Sequence, residues 1–223
     1  MAVLHLETQA AVVQLQLGVA TTLVLVLIIR RAGISPVQIA CCVAVATAGE
    51  LVLSGASRLY RYHHAVLPLY VPPGHGVFYA LAVWTSRQPL LLRCEKGIRL
   101  TVLVLGTVLA AISLVWNHDS WGFLWWVGVA AFLAMSRQRV LLSACVILTM
   151  FLELAGTYNG NWQWAPTVPL LGWSSANPPA GVGILYVLLD LIVVAVTSFV
   201  IGTRDATFSS PDRPERNELR ASG

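Results

Sequence analysis

The strongest constraint on this chain is the position of its ionisable side chains relative to its apolar stretches. The 14 Lys and Arg residues lie between the apolar stretches or at their ends, whereas Glu50, Glu153 and Asp190 lie within them. A soluble globule needs polar surface to cover its core, and a chain that is 57% hydrophobic and 11% charged cannot supply it. The pattern predicts a membrane protein that buries acidic side chains.

Seven apolar stretches, separated by charges and helix breakers, predict an all-α, polytopic bundle of about seven transmembrane helices. Most approach the roughly 20 residues that a helix needs to cross the hydrocarbon. They are Ala10 to Ile29, Pro36 to Ser54, Val66 to Ser86, Ile98 to Trp116, Trp121 to Met135, Val140 to Tyr158 and Gly181 to Ile201. The fifth is short, and prolines leave the third an uninterrupted helix only from Gly74 to Ser86, so either could instead be tilted or re-entrant.

The basic residues predict the orientation, because cytoplasmic loops carry an excess of Lys and Arg. With the N-terminus outside and the C-terminus inside, only Arg58 and Arg61 fall on the outer side among the residues between the stretches. We therefore predict a multi-pass protein of the plasma (inner) membrane, with a seven-helix transmembrane domain over residues 1–202. Residues 203–223 are rich in Ser, Pro and charged residues, which is typical of a disordered cytoplasmic tail.

This orientation gathers the chemically capable residues near the outer side. A carboxylate in hydrocarbon costs about 2.5–3.5 kcal/mol on insertion scales, so such acids usually face the bundle interior and mark a site. The predicted catalytic residues are Glu50, His75, Glu153 and Asp190. The alternative for each acid is a purely structural role, protonated and hydrogen-bonded to a backbone carbonyl or a serine hydroxyl.

An uncharged outer loop dense in Trp, Gly and Pro, residues 158–180, predicts a lid over a cavity for an apolar or cationic ligand. Tyr79 shares a helix face with His75, and Tyr186 shares one with Asp190, because each pair is four residues apart. The predicted substrate-binding residues are Tyr79, Tyr158, Trp162, Trp164, Trp173, Asn177 and Tyr186. The tryptophans could instead be interfacial anchors.

A short internal repeat predicts two halves of like orientation around an axis along the membrane normal. In each copy a Glu-Leu pair ends one helix and a Pro-Pro element begins the next. The first copy contains Glu50 and Pro72-Pro73-Gly74-His75-Gly76, and the second contains Glu153 and Pro178-Pro179-Ala180-Gly181. If the repeat is real, Glu50 and Glu153 face each other across one cavity.

Residues 153–164 read Glu-Leu-Ala-Gly-Thr-Tyr-Asn-Gly-Asn-Trp-Gln-Trp. This segment resembles the Glu-x-x-Gly-Thr-x-x-Gly-x-aromatic-x-aromatic signature of carotenoid-biosynthesis membrane proteins, the carotenoid hydratases and lycopene-cyclase-like domains. The resemblance covers some 12 of 223 residues. It implies acid-initiated chemistry on a polyene, with Glu153 as proton donor and tryptophans stabilising a carbocation. The Pro-x-Glu-Glu/Asp element of the cyclases is absent.

A second, partial resemblance is to type-2 phosphatidic acid phosphatases, through Ser57-Arg58-x5-His64 and Pro72-Pro73-Gly74-His75. These elements come in the reverse order to that family. They imply at most an anionic headgroup held at the outer surface, and an interfacial basic loop is the alternative.

Three functions remain open on the sequence. The first is an enzyme acting on a lipid or isoprenoid by acid–base chemistry in a pocket open to the extracytoplasmic side. The others are a proton- or cation-coupled small-molecule transporter and a non-catalytic membrane scaffold. The expected partners are membrane lipids and an apolar or lipid-like small molecule, with no nucleic acid. The four cysteines form no redox or zinc motif. No metal site is therefore predicted, and the sequence does not specify a cofactor, an oligomeric state or whether a metal joins the carboxylates and His75.

Overall fold

A computed structural model describes residue 6, residues 11–64 and residues 66–201, which form a mainly helical protein. The helices with described bounds are α1 (Ala11–Ala32), α2 (Pro36–Glu50), α3 (Val71–Ser86), α4 (Pro89–Arg93), α5 (Glu95–Trp116), α6 (Ser120–Met135), α7 (Arg139–Tyr158) and α8 (Ile184–Ile201). The predicted tail, residues 203–223, lies outside the described residues, so the boundary after residue 202 stays a prediction.

Among the described residues, four helical segments are long and apolar enough to cross a membrane. They are α1, the continuous helix Pro36–Ala56, α5 and α7, while α6 and the Ile184–Phe199 part of α8 are shorter apolar helices. Helix α5 leaves large apolar side chains such as Leu100, Leu105 and Leu109 about 60% exposed. Because water would penalise such a surface, these helices fit a hydrocarbon environment.

The connection after α2 differs from the all-α prediction. Helix α2 continues into a π-helical segment, Leu51–Ala56, and strand β1 (Tyr60–Tyr62) follows it. Strand β1 pairs antiparallel with β2 (Trp162–Trp164), which follows α7. Three-residue strands carry too little alternation to be recognised from sequence. The fold is therefore a helical bundle with a small two-stranded sheet across one end, which we call the strand end.

The two copies of the predicted repeat occupy corresponding places in the packing. Helix α2 packs against α8, and α3 packs against α7. Helices α2 and α7 both run toward the strand end, because each leads directly into one of the two paired strands.

Basic side chains gather at the opposite end, which we call the basic end. The Arg87 Nη1 atom donates to the Ala32 carbonyl at 3.0 Å, and the Arg99 Nη1 atom donates to the Ala134 carbonyl at 3.3 Å. Arg139 forms an ion pair with Glu95 at 2.6 Å. Arginine side chains thus complement the carboxyl ends of α1 and α6, where helix carbonyls lack intrahelical partners.

Helix α3 begins earlier than the prolines suggested. It starts at Val71, with Pro72 and Pro73 in its first turn, and not at Gly74. The first-turn backbone N–H groups have no intrahelical acceptor, so proline loses nothing there. The result places His75 one turn inside the helix.

The segment between β2 and α8, residues 165–183, is tied to the start of α6 through the fully buried Asp119. Its Oδ1 accepts hydrogen bonds from the backbone N–H of Gly122 and Ala176, each at 2.9 Å. Its Oδ2 accepts from the Ala180 N–H at 2.8 Å and from the Ser113 hydroxyl at 3.1 Å. One carboxylate therefore caps α6 and holds the predicted lid in place.

Candidate functional site

Glu50, near the end of α2, is the acceptor for three side chains. The Tyr60 and Tyr62 hydroxyls of β1 donate to its Oε2 at 2.6 and 2.9 Å. The His75 Nε2 atom lies 2.9 Å from Oε1. Glu50 is only 8% exposed. These three groups supply the hydrogen bonds that a buried carboxylate requires.

The two tyrosines stay protonated, as donors to a carboxylate must. Burial raises the pKa of Tyr60 and Tyr62 above the usual value near 10, and the adjacent Glu50 carboxylate raises both pKa values further. A phenol hydroxyl can also accept a hydrogen bond while it donates one. In the structure both phenols act as donors that hold the Glu50 carboxylate in place.

Glu153, in α7, also accepts hydrogen bonds from two aromatic side chains, but its donors are indoles and not phenols. The indole Nε1 atoms of Trp162 and Trp164 donate to its Oε2 at 2.8 and 2.9 Å. The Trp162 ring lies over Gly156, where an added Cβ would come within 2.0 Å of the indole. Gly156 is thus the residue that lets this indole reach the carboxylate.

The two carboxylate sites share the same arrangement of helix, carboxylate and strand. Each glutamate accepts from alternate aromatic residues of the strand that follows its helix, and the register pairs Tyr60 with Trp164 and Tyr62 with Trp162. The donors follow Glu50 by 10 and 12 residues but follow Glu153 by 9 and 11. A π-helical turn holds an extra residue, so the segment Leu51–Ala56 accounts for the offset of one.

A layer of aromatic rings lies between the glutamates and the bundle interior. The rings of His75 and Tyr186 have centroids 5.6 Å apart, and those of Phe78 and Tyr186 are 4.1 Å apart. Glu153 interacts electrostatically with both Glu50 and His75. The structure therefore brings together Glu50, His75, Glu153, Trp162, Trp164 and Tyr186 of the predicted site.

Asp190 lies one helical turn beyond Tyr186, about 6 Å deeper at 1.5 Å per residue. Tyr79 is the hydrogen-bonding neighbour of its carboxyl, whose Oδ1 has no partner among the described residues. The buried thiols of Cys42 and Cys145 interact electrostatically with Asp190. Asp190 and Tyr79 thus form a second, deeper layer. Within the part of the chain that the structure describes, no group of three or more His, Cys, Asp and Glu side chains is placed to hold a metal ion.

Three of the predicted substrate-binding residues lie outside these two layers. Asn177 supports the site, since its Oδ1 accepts the Trp164 backbone N–H at 3.0 Å. Trp173 is 44% exposed and contacts Trp121 edge to face. Tyr158 is 90% exposed and borders an open groove of about 500 Å³ on the α7 surface. The groove is lined by Phe151, Leu154, Ala155, Thr157, Tyr158, Asn177 and Pro178.

Sequence reasoning missed Tyr60 and Tyr62, although a signal for them was present. Each glutamate is preceded by a cysteine at eight residues, Cys42 and Cys145, and followed by an aromatic-x-aromatic triplet. Aligning the two copies on these features would have matched Tyr60-Arg61-Tyr62 with Trp162-Gln163-Trp164. Asp119 carried no comparable signal, because two of its four donors, the backbone N–H groups of Ala176 and Ala180, come from a distant part of the chain.

Replacing Gly156 with alanine is expected to displace the Trp162 indole from Glu153 and to cost about 1–3 kcal/mol of stability, because the new methyl group overlaps the ring. Tryptophan emission and thermal unfolding of the purified protein measure both effects. Gly49→Ala is the matched control, since a Cβ there meets nothing within 4 Å. Equal behaviour of the two variants would contradict the contact.

Replacing Tyr60 and Tyr62 together with phenylalanine is expected to destabilise the protein by about 2–4 kcal/mol, since each hydroxyl donates to a buried carboxylate. The same double change in a Glu50→Gln background should cost clearly less, because the charge has gone. Thermal unfolding of the wild type, the double tyrosine variant, Glu50→Gln and the combined variant measures the two costs as a mutant cycle. An equal cost in both backgrounds would show that the hydroxyls do not act through Glu50.

No family model matches this sequence, and no curated protein or solved structure matches it significantly. The resemblance of residues 153–164 to carotenoid-biosynthesis proteins therefore stays a prediction.

Proposed function

We propose that the protein is an integral membrane enzyme that acts on a lipid or isoprenoid substrate by acid–base chemistry at the paired-glutamate site. The observation that carries this proposal is that Glu50 and Glu153 are each held by two aromatic donors from one paired-strand element, beside His75. Buried carboxyls oriented in this way are the usual tools of proton transfer.

The proton-transfer role is supported by the chemistry of the Glu50 cluster. A carboxyl and an imidazole lie in one hydrogen-bonded group in which a proton can pass between Glu50 and His75, while the two phenols donate to the carboxyl. Asp190 and Tyr79 extend the set of exchangeable groups by about one helical turn. The proposal assigns the transfer to Glu50, His75 and Asp190, with Tyr60 and Tyr62 positioning Glu50.

An apolar substrate is supported by the surroundings of these groups. The acids are surrounded by aromatic rings, some of which are also their donors, and these rings pack against one another, as in the Tyr60–Trp164 pair at 4.7 Å and the Trp125–Trp164 pair at 5.8 Å. The groove bordered by Tyr158 runs along the outer surface of α7, a helix apolar enough to cross a membrane. A substrate dissolved in the bilayer would reach the groove without entering water.

The proposed topology has seven spans, with the strand end on the extracytoplasmic side of the plasma membrane. It is supported by the arginines at the basic end, since positively charged loops stay in the cytoplasm. The shorter helices α3, α6 and α8 would complete the seven. Cysteine labelling of single substitutions at Arg61 and Arg137 from either side of spheroplasts tests this orientation.

Lipid mass spectrometry of cells with and without the protein tests the enzyme. We expect an apolar precursor to accumulate in the cells that lack the protein, and a product to appear when the protein is supplied. The purified protein in nanodiscs should then convert that precursor. An unchanged lipid profile together with no conversion in nanodiscs would contradict the proposal.

A proton-coupled transporter is the second candidate, and two observations favour it. The halves pack crosswise, α2 on α8 and α3 on α7, which suits two bodies that rock around a site between them. In addition, one carboxyl oxygen of Asp190, deep in the bundle, has no hydrogen-bond partner within the described ranges. Reconstituted vesicles distinguish the candidates, because a transporter moves its substrate chemically unchanged whereas an enzyme alters it.

A further inference from the structure

Two arginines at the strand end, Arg58 and Arg61, have exposed side chains. Within residues 11–64 and 66–201, neither guanidinium group forms an ion pair or a hydrogen bond. At the basic end, by contrast, Arg87 and Arg99 donate to helix carbonyls. The two strand-end arginines therefore keep their donors for a group outside the described chain.

Acids at the strand end do not balance the charge of these arginines. The described acids there, Glu50, Asp119 and Glu153, are at most 8% exposed and accept hydrogen bonds inside the protein. Arg61 pairs with Gln163 across the sheet, and both are exposed. Because side chains alternate between the faces of a strand, the sheet turns its aromatic donors toward the carboxylates and its arginine away from them. The outward face of the sheet is therefore positively charged.

Arg58 adopts a backbone conformation that is unfavourable for arginine. Its φ is +55°, in the left-handed region, and it directly follows the helix-ending Ser57, where glycine is the usual residue. Two hydrogen bonds of 2.8 Å close the turn around it, from the Ser57 N–H to the Val52 carbonyl and from the Leu59 N–H to the Leu53 carbonyl. Arginine at this position costs stability. A ligand held by its side chain would account for that cost.

Exposed apolar side chains lie close to the arginines along the chain. Leu51 and Val52, near the end of the apolar helix Pro36–Ala56, are 54% and 57% exposed. Val66, which follows β1, is 80% exposed. Basic side chains next to such a surface are typical of the boundary between hydrocarbon and headgroups. The position of the arginines therefore favours a lipid as their partner.

We propose that Arg58 and Arg61 form a binding surface for the headgroup of an anionic phospholipid, whose acyl chains lie along Leu51 and Val52. The arginines are three residues apart, so their Cα atoms are at most about 11 Å from each other and both side chains can reach one headgroup. A guanidinium group binds a phosphate through two parallel hydrogen bonds. This inference involves no conversion of the lipid and is independent of the proposed function.

Native mass spectrometry of the purified protein, titrated with phosphatidylglycerol or phosphatidylcholine of the same acyl chains, tests this surface. Both lipids carry a phosphate, but only phosphatidylglycerol has a net negative charge. We expect Arg58→Gln/Arg61→Gln to bind phosphatidylglycerol about tenfold or more weakly than wild type, since each arginine near a lipid surface contributes about fivefold in affinity. Binding of phosphatidylcholine should be unchanged. Equal affinity of both proteins for phosphatidylglycerol would overturn the proposal.

The matched control is Arg87→Gln/Arg99→Gln, which removes the same charge at the basic end, where helix carbonyls already engage the guanidinium groups. We expect it to change phosphatidylglycerol binding by less than about threefold. A loss as large as that of the strand-end variant would mean that the lipid responds only to overall charge, and the surface would be refuted. Glycerol phosphate, the anion without acyl chains, should not displace phosphatidylglycerol at equal concentration. If it does, the ligand is a free anion and not a lipid.

Arg58→Gly separates lipid binding from folding. Glycine adopts a φ of +55° without strain, so the melting temperature of this variant should equal or exceed that of wild type. Its affinity for phosphatidylglycerol should nevertheless fall by about threefold or more. Wild-type affinity in Arg58→Gly would show that Arg58 does not hold the headgroup and would contradict the proposal.

Discussion

Replacing Asp119 with alanine is expected to lower the free energy of unfolding by about 3 kcal/mol or more, because it leaves buried donors without an acceptor. The carboxylate is fully buried and accepts four hydrogen bonds, three from backbone N–H groups and one from Ser113. Each abandoned donor in such a place costs on the order of 1–3 kcal/mol, and the costs overlap when the segment relaxes.

Thermal unfolding of the purified protein in detergent measures this effect. Asp119→Asn should be intermediate, since an amide keeps one acceptor oxygen but directs an N–H₂ group at a remaining donor. Glu95→Ala is the control, because the Glu95–Arg139 ion pair is about one-third exposed and pairs of that kind contribute about 1 kcal/mol or less. A similar loss of stability in the Asp119 and Glu95 variants would show that the segment 165–183 is held by other contacts.

The Asp119→Ala substitution is also expected to affect the candidate site through the segment 165–183. Asn177, which supports the Trp164 backbone, lies between the two segment residues that Asp119 holds, Ala176 and Ala180. Loosening the segment should therefore move the indole of Trp164. Proteolysis of residues 165–183 in the folded Asp119→Ala protein, with wild type as reference, is expected to be faster.

Replacing Glu50 with glutamine is expected to reduce conversion of the substrate by about 100-fold or more, the usual contribution of a general acid or base. Glutamine keeps the size of the side chain and an oxygen for Tyr60 and Tyr62, so the fold should survive while proton exchange is lost. Asp190→Asn should act in the same direction. The measurement is the rate of product formation in nanodiscs, by mass spectrometry.

The matched control for these two variants is Glu95→Gln, which removes a carboxylate at the basic end, away from the site. It should retain activity within about threefold, since it changes only a partly exposed ion pair. If Glu50→Gln and Asp190→Asn both convert substrate at the wild-type rate, the acid–base mechanism fails. If Glu95→Gln loses as much activity as they do, the loss reflects general damage to the protein.

Much of the helical framework was predictable because hydropathy and helix breakers act locally. The stretches from Pro36 and from Val140 predict α2 and α7 closely, and the apolar run before Arg30 predicts α1. The candidate acids and His75 were also found, since an ionisable side chain in an apolar stretch stands out by itself. Their roles stay predictions, whereas their proximity is a property of the fold.

The sheet and the donors of the glutamates were not predictable in this way. Tyr60 and Tyr62 lie in a strand of only three residues, which has no recognisable sequence pattern, and aromatic residues there are equally typical of an interfacial belt. Their position as donors depends on the pairing of their strand with Trp162 and Trp164, about one hundred residues away in the sequence. This pairing forms only when α2 and α7 end side by side. The π-helical turn that sets their register also has no distinctive composition.

The amino-acid sequence by itself determined that this chain forms helices apolar enough to cross a bilayer and that acidic side chains lie within its apolar stretches, because transfer free energies belong to individual residues. Only the tertiary structure decided which acids meet, which donors hold them and why Glu50 and Glu153 differ. Those properties depend on the directions of hydrogen bonds between distant segments, and directions are set only when helices and strands pack.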